Sequence, residues 1–212
     1  MDKLIQTLIS GLSLGSIYAL IALGYTMVYG IAKMLNFAHG DIIMVGAYAV
    51  ITAAFTMGLP PFIAILISIA LCALLGIVIE FLAYRPLRQA QPLAVLITAI
   101  GVSYLLQNLA LLIYGSEQKA FPTIVALPTV HIGGVYIDGI TLATLVVTAV
   151  IMVALSLFIN KTRMGKAMRA VSEDKEAAEL MGISVNRTIT VTFAIGSALA
   201  GVAAIFYGAA YT

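Results

Sequence analysis

Residues 58–88 read GLPPFIAILISIALCALLGIVIEFLAYRPLR, and their reading decides the fold. From Pro60 to about residue 83 the run is almost wholly apolar, and its single acid, Glu80, sits near one end. A bilayer core about 30 Å thick is crossed by roughly 20 apolar residues of helix, so this stretch is long enough to span. Proline at the start of such a helix removes an N–H that would have no partner anyway. Pro60 and Pro61 also separate the run from the one before it by almost nothing, which predicts a tight helical hairpin. Glu80 near the exit and Arg85 just beyond it are expected to form an interfacial ion pair.

Extending the same test over all 212 residues gives six windows: about 4–32, 42–58, 60–83, 93–114, 140–159 and 188–211. The composition agrees, being 62% hydrophobic and 9% charged, with a mean hydropathy of +1.11. Such a chain is excluded from the soluble classes and reads as an all-α, polytopic integral membrane protein of about six transmembrane helices, forming one transmembrane domain over 1–212. Nucleic acid is not an expected partner; membrane lipid is. The first window is too long for a signal-peptide core and reads as a retained helix. The one cysteine, Cys72, lies in an apolar run, cannot form an intrachain disulfide, and reads as a packing residue.

Basic residues orient the chain. Lys33, Arg85, Arg88, Lys161, Arg163, Lys166, Arg169, Lys175 and Arg187 follow the first, third and fifth windows, whereas Lys3 and Lys119 lie on the opposite side. The positive-inside rule makes the first set cytoplasmic and puts the N-terminus outside. The segment 115–139, with Pro122, Pro128 and His131, becomes an external loop along the membrane interface.

Nine of the twenty charges fall between Lys161 and Glu179. Each would cost roughly 2.5 to 3.5 kcal/mol at mid-bilayer, so the segment 161–187 must leave the lipid. Within it, SEDKEAAELMG has Ser172 as N-cap, Glu173 and Asp174 at the positive helix end, and Gly182 as the stop, which predicts a helix of about ten residues. So short a helix needs packing to persist. Ala177, Leu180 and Met181 share one face and Glu173 and Glu176 another, a pattern suited to an apolar groove with a charged rim; the plainer reading is a solvated loop.

Here the residues resemble a known family. Glu176-Ala177-Ala178, three residues, then Gly182 has the form of the EAA loop of ABC importer permeases. Together with RPLR at 85–88, NFAHGD at 36–41, GAY at 46–48 and the run RAVSEDKEAAELMGI, the chain resembles the branched-chain amino-acid ABC transporter permeases of the LivH type. The Ile-x-Leu-Pro ending of the general EAA pattern is absent, and members of that family continue through further membrane helices past the position of Thr212. The resemblance implies an ATP-driven importer in the inner membrane of a bacterium or archaeon. Its partners would be a second, related permease, two cytoplasmic ATPases carrying ATP and Mg, and an extracytoplasmic protein that delivers leucine, isoleucine or valine. Glu173, Glu176, Ala177, Ala178, Leu180, Met181 and Gly182 would then form the short cytoplasmic coupling helix. Permeases for urea or short amides share these motifs and are the alternative; an ATPase-independent transporter or channel is a third, and would need paired ionisable groups at mid-membrane.

Other polar and aromatic residues admit two readings each. Along the first helix Gly11, Gly15, Tyr18, Ala22, Tyr25 and Tyr29 lie on one seam, which either packs helices through GxxxG or lets Tyr18 and Tyr25 border a path. Asn36 and Asp41 are expected to close one helix and cap the next, with His39 between them as a titratable candidate. Ser103, Gln107 and Asn108 in the fourth helix must face protein or water, either bonding helices together or lining the path. The chain has no G-x-x-x-x-G-K-[ST] loop for nucleotide and no HExxH or Cys/His cluster, so neither a cofactor, a metal nor an enzymatic activity is expected of it.

Overall fold

The computed structural model describes residues 2–122, 128–132 and 135–211. Six helices among them are long and apolar enough to cross a membrane. The first is α1, Asp2–Ala32; α2, His39–Ile51, continues through a π-helical turn, Thr52–Thr56. The third, α3, covers Pro61–Ile79 and runs on through a second π turn, Glu80–Tyr84, and a single 3-10 turn, Arg85–Leu87. Then come α4, Pro92–Tyr114, a two-stranded antiparallel hairpin of β1, Val130–Ile132, and β2, Val135–Ile137, and α5, Gly139–Lys161. Two short helices follow, α6, Arg163–Glu173, and α7, Lys175–Leu180, before the last span, α8, Val185–Ala210. As expected, α2 and α3 form a hairpin, and proline opens both α3 and α4.

The core is built around α8. It packs on α1, α2 and α3, and 61% of its spanning window is buried against 11% of that of α5. Lipid tails are as apolar as leucine, so helices in a membrane associate by close packing of small residues. That is what α8 supplies. A Cβ on Gly24 of α1 would come 2.8 Å from the Gly196 carbonyl oxygen of α8, and one on Gly76 of α3 would fall 2.0 Å from the Ser197 hydroxyl oxygen. Cys72, fully buried, fills the junction with its thiol 3.5 Å from the Ile42 carbonyl oxygen, as a packing residue should.

The seam on α1 lies elsewhere than packing within this chain requires. Nothing approaches a Cβ on Gly11 or Gly15 within 4 Å, and Tyr18 and Tyr29 are about half exposed. The contacts to α8 come instead from the neighbouring face, through Leu20, Gly24 and Val28. Hydropathy cannot separate these faces, because a lipid-facing side chain and a protein-facing one are equally apolar.

Strand β2 is tied back to α1 by the Gln6 side chain. The Gln6 amide donates to the Tyr136 carbonyl at 2.7 Å and accepts from its N–H at 3.0 Å, pairing with β2 as a strand edge would.

Candidate functional site

The charged segment folds as two helices joined by one residue. Thr162 caps α6, its hydroxyl accepting from the Gly165 N–H at 3.0 Å. Met168 and Val171 bury one face of α6 against the bundle, so the helix continues through Ser172, whose hydroxyl bonds back to the Arg169 carbonyl. The expected N-cap therefore moves. Asp174, extended at φ −151°, ψ 115°, ends α6 and starts α7, and its carboxylate accepts from Glu176 N–H at 2.9 Å and Ala177 N–H at 3.0 Å. The helix is six residues long and not about ten. Gly182 does terminate it, at φ +80°, a backbone conformation that costs a side chain-bearing residue dearly.

Ala178 is the one buried residue of α7, 4% exposed, while Leu180 is 89% and Met181, just after it, 83% exposed. Glu176, Ala177 and Glu179 are also exposed, as is Glu173 at the end of α6. Two large apolar side chains in the open, on a segment too charged for lipid, form an unpartnered surface with an acidic border. α7 is held from behind. Lys175 donates from Nζ to the Ala32 carbonyl, the last of α1, at 2.8 Å. A lysine there satisfies a carbonyl that the helix leaves free and meets the negative end of its dipole.

A second constellation lies along α1 and α2. Tyr18, Tyr25, Asn36 and His39 line one cavity of about 440 Å³, with Phe37 at its edge. His39 is 2% exposed and edge-on to Tyr25, ring centroids 6.0 Å apart, and neither ring nitrogen is hydrogen-bonded. Gly24 makes the room, since a Cβ there would lie 2.9 Å from the imidazole Cε1. A larger cavity of about 750 Å³ shares Ile21 and Gly40 with the first and runs past Met44 and Tyr48 to Glu117 and Lys119. The two cavities are neighbours along α1 and α2.

Asn36 does not simply close α1, which ends at Ala32. Its side-chain oxygen accepts from the buried Tyr84 hydroxyl at 3.2 Å, which fastens the link between α1 and α2 to the end of α3. Nor does Asp41 cap α2, whose N-cap, Ala38, has no side-chain bond. The Asp41 carboxylate instead accepts from the Ser103 hydroxyl and, at 3.0 Å, from the Gln107 amide, both on α4. Thus Ser103 and Gln107 serve the buried Asp41 carboxylate; Asn108 bonds its own helix at the Tyr104 carbonyl. The i,i+4 spacing of Ser103 and Gln107 was the available signal for a shared partner.

Glu80, fully buried, pairs with Arg88 and not with the expected Arg85. Arg85 lies over the Phe81 ring on the outer face, while the turn after Leu87 returns Arg88 beneath Glu80. Thr190 of α8 donates to the second Glu80 oxygen at 2.7 Å, and Asn186 accepts from Arg88. Burial lowers the Arg88 pKa, opposed by the adjacent Glu80 charge. Among the described residues no cluster of His, Cys, Asp and Glu could hold a metal.

Comparison with known proteins bears on these features directly. A family model described as branched-chain amino acid transport system, permease component, matches residues 7–212. The high-affinity branched-chain amino acid transport system permease protein BraD of Pseudomonas aeruginosa is 44% identical over 219 residues, covering 98% of this chain and 71% of that protein. LivH of Escherichia coli, named in the same words, is 40% identical over 226 residues with the same two coverages. A probable branched-chain amino acid transport permease of Methanocaldococcus jannaschii is 28% identical over 197 residues, 89% of this chain and 61% of that one. No solved structure matches the chain. Six spanning helices, the charged break at α6–α7 and similarity along nearly the full length agree: this chain is a multi-pass transport component without enzymatic activity of its own, and it belongs to the branched-chain amino-acid transport permease family.

Proposed function

We propose that this chain forms the membrane path of an ATP-driven importer for leucine, isoleucine and valine, and that α7 is the handle by which ATPase subunits move it. The observation that carries the reading is the surface of α7, where Leu180 and Met181 stand almost wholly exposed on a helix anchored from behind by Ala178 and Lys175. The basic residues around the α6–α7 end support a cytoplasmic position for that end in a bacterial or archaeal cell, with the N-terminus outside the inner membrane. A second, related permease, two ATPases and an external binding protein complete the assembly.

Closure of the ATPases displaces α7. Its motion passes to α1 through Lys175 and Ala32, and to α8 through the short turn at Gly182. The cleft lined by Tyr18, Tyr25, Asn36 and His39 lies on the α1–α2 face and is the part of the chain these motions open and close. Its mixed apolar and polar lining suits an aliphatic side chain followed by a zwitterion. The names of the relatives favour branched-chain amino acids over urea or short amides.

The test is co-purification from mildly solubilised membranes. Wild-type chain is expected to retain ATPase and a binding protein whose bound ligand is leucine, isoleucine or valine, whereas Leu180→Asp with Met181→Asp loses the ATPase and still inserts. Equal ATPase recovery with both forms would overturn the role of α7; a binding protein loaded with urea or an amide would overturn the substrate.

A further inference from the structure

A third cavity, about 320 Å³, lies where α1 ends, the α3–α4 turn passes and α7 begins, and its charged lining is wholly cationic: Lys33, Arg88 and Lys175. Only one of the three charges, that of Arg88, is balanced by an acid. Glu80 is the one carboxylate in an ion pair among the described residues, and it is taken up by Arg88 and Thr190. Lys175 loses charge stability first from burial and then from the repulsion of Arg88 and Lys33, so the three cations feel one another. Like charges in one hollow, two of them with no internal acid to answer them, form a site suited to an anion that the chain does not contain.

Two further observations concern residues that line the same hollow. The Arg88 Nε is buried and makes no hydrogen bond, so Glu80 and Asn186 do not use up the donors of this guanidinium. Lys33 is the one non-glycine residue among those described with positive φ, at 58°, a conformation L side chains seldom adopt. The strained backbone sits at the residue after α1, where it holds Lys33 at the cavity in place of the glycine usual there.

The other half of the lining is apolar, including Met34, Leu87, Val95 and Leu96. Beyond it, Leu93 and Ile97 continue along the outer face of α4, 63% and 60% exposed. The hollow also lies at the ends of spanning windows, the depth at which headgroups sit. We propose that it binds a phosphate anion, and that its source is the headgroup of an anionic glycerophospholipid whose chains run down α4. Basic pockets between the ends of membrane helices are the usual receptors for such headgroups. The site joins α1 to α7, so the bound lipid braces the contact between Lys175 and Ala32. This inference rests on the membrane-spanning fold and stands apart from the substrate reading above.

The experiment is native mass spectrometry of the intact transporter, purified in mild detergent and offered phosphatidylglycerol or phosphatidylcholine at equal concentration. Wild type is expected to retain phosphatidylglycerol selectively. Lys33→Gln weakens that preference roughly fivefold, and adding Lys175→Gln weakens it roughly thirtyfold, the loss expected from removing one and then two cations at a membrane surface. Lys33→Arg keeps it, and so does Lys119→Gln at the opposite end of the bundle, which guards against a merely misfolded variant. Equal retention of the two lipids, or unchanged selectivity in the double variant with its Lys33→Gln parent, would overturn the site. Millimolar inorganic phosphate is expected to leave the lipid in place; displacement, with phosphate itself retained, would overturn the lipid as the source.

Discussion

Glu80 illustrates how much a single position depends on the path of the backbone. Its partner is eight residues away, across a π turn and a 3-10 turn, and not the nearer Arg85. Removing one member of a buried pair strands the other charge, so Glu80→Ala is expected to lower stability by about 3 kcal/mol or more. Arg85→Ala, which gives up only an exposed ring contact, should cost about 0.5 to 1 kcal/mol. Thermal unfolding of the two variants in the same detergent checks the assignment, and a reversed order would contradict it. Lys175 adds a pH dependence. Its pKa is lowered in the folded chain from the ordinary 10.5, so between the lowered value and 10.5 the unfolded state binds more protons and folding is favoured as pH rises. Unfolding midpoints measured across alkaline pH are therefore expected to rise for wild type relative to Lys175→Gln, and to run parallel below that window.

At the scale of elements, close approach determines which faces meet. Gly76 leaves no space for a side chain, because a Cβ would fall 2.0 Å from the Ser197 hydroxyl oxygen and 2.9 Å from the Phe193 carbonyl oxygen. Gly76→Leu is expected to cost about 1 to 3 kcal/mol by forcing α3 from α8, whereas Gly11→Leu, with open space around it, leaves the stability of the isolated chain unchanged. Differential scanning of detergent-purified variants separates the two. Both glycines look alike in the sequence. The helices themselves were readable because lipid demands a long apolar run for each crossing, and every predicted window became a helix. Their pairing was not, since hydrophobicity marks no face in such a chain and only polar contacts betray a neighbour. Asp41 is the case in point: read locally it is a cap, and only the fold brings α4 close enough for Ser103 and Gln107 to claim it. The boundary of α7 was missed for a related reason, because the burial of Met168 and Val171 prolongs α6 past Ser172, a tertiary effect that capping preferences do not include.

For the molecule as a whole, charge is sorted to one end. Cys72, the sole cysteine, is fully buried, so the natural chain gives a silent background for thiol labelling. Lys161→Cys is expected to react with an impermeant maleimide only after the cells are opened, and Lys119→Cys while they are intact. The opposite pattern would invert the proposed orientation. The candidate cleft was legible in part: Tyr18, Tyr25, Asn36 and His39 do meet, because they lie on α1 and on the link and helix that follow it, while Ser103, Gln107 and Asn108 sit with other partners. The same sorting gives Asp174 a particular weight, since this one residue is both the last joint of α6 and the first of α7. With no slack in the chain at that joint, the proposed push on α7 would be delivered whole, as through a rigid wrist. Two glycines inserted after Glu173 would act as a clutch, leaving ATP turnover running while uptake stops.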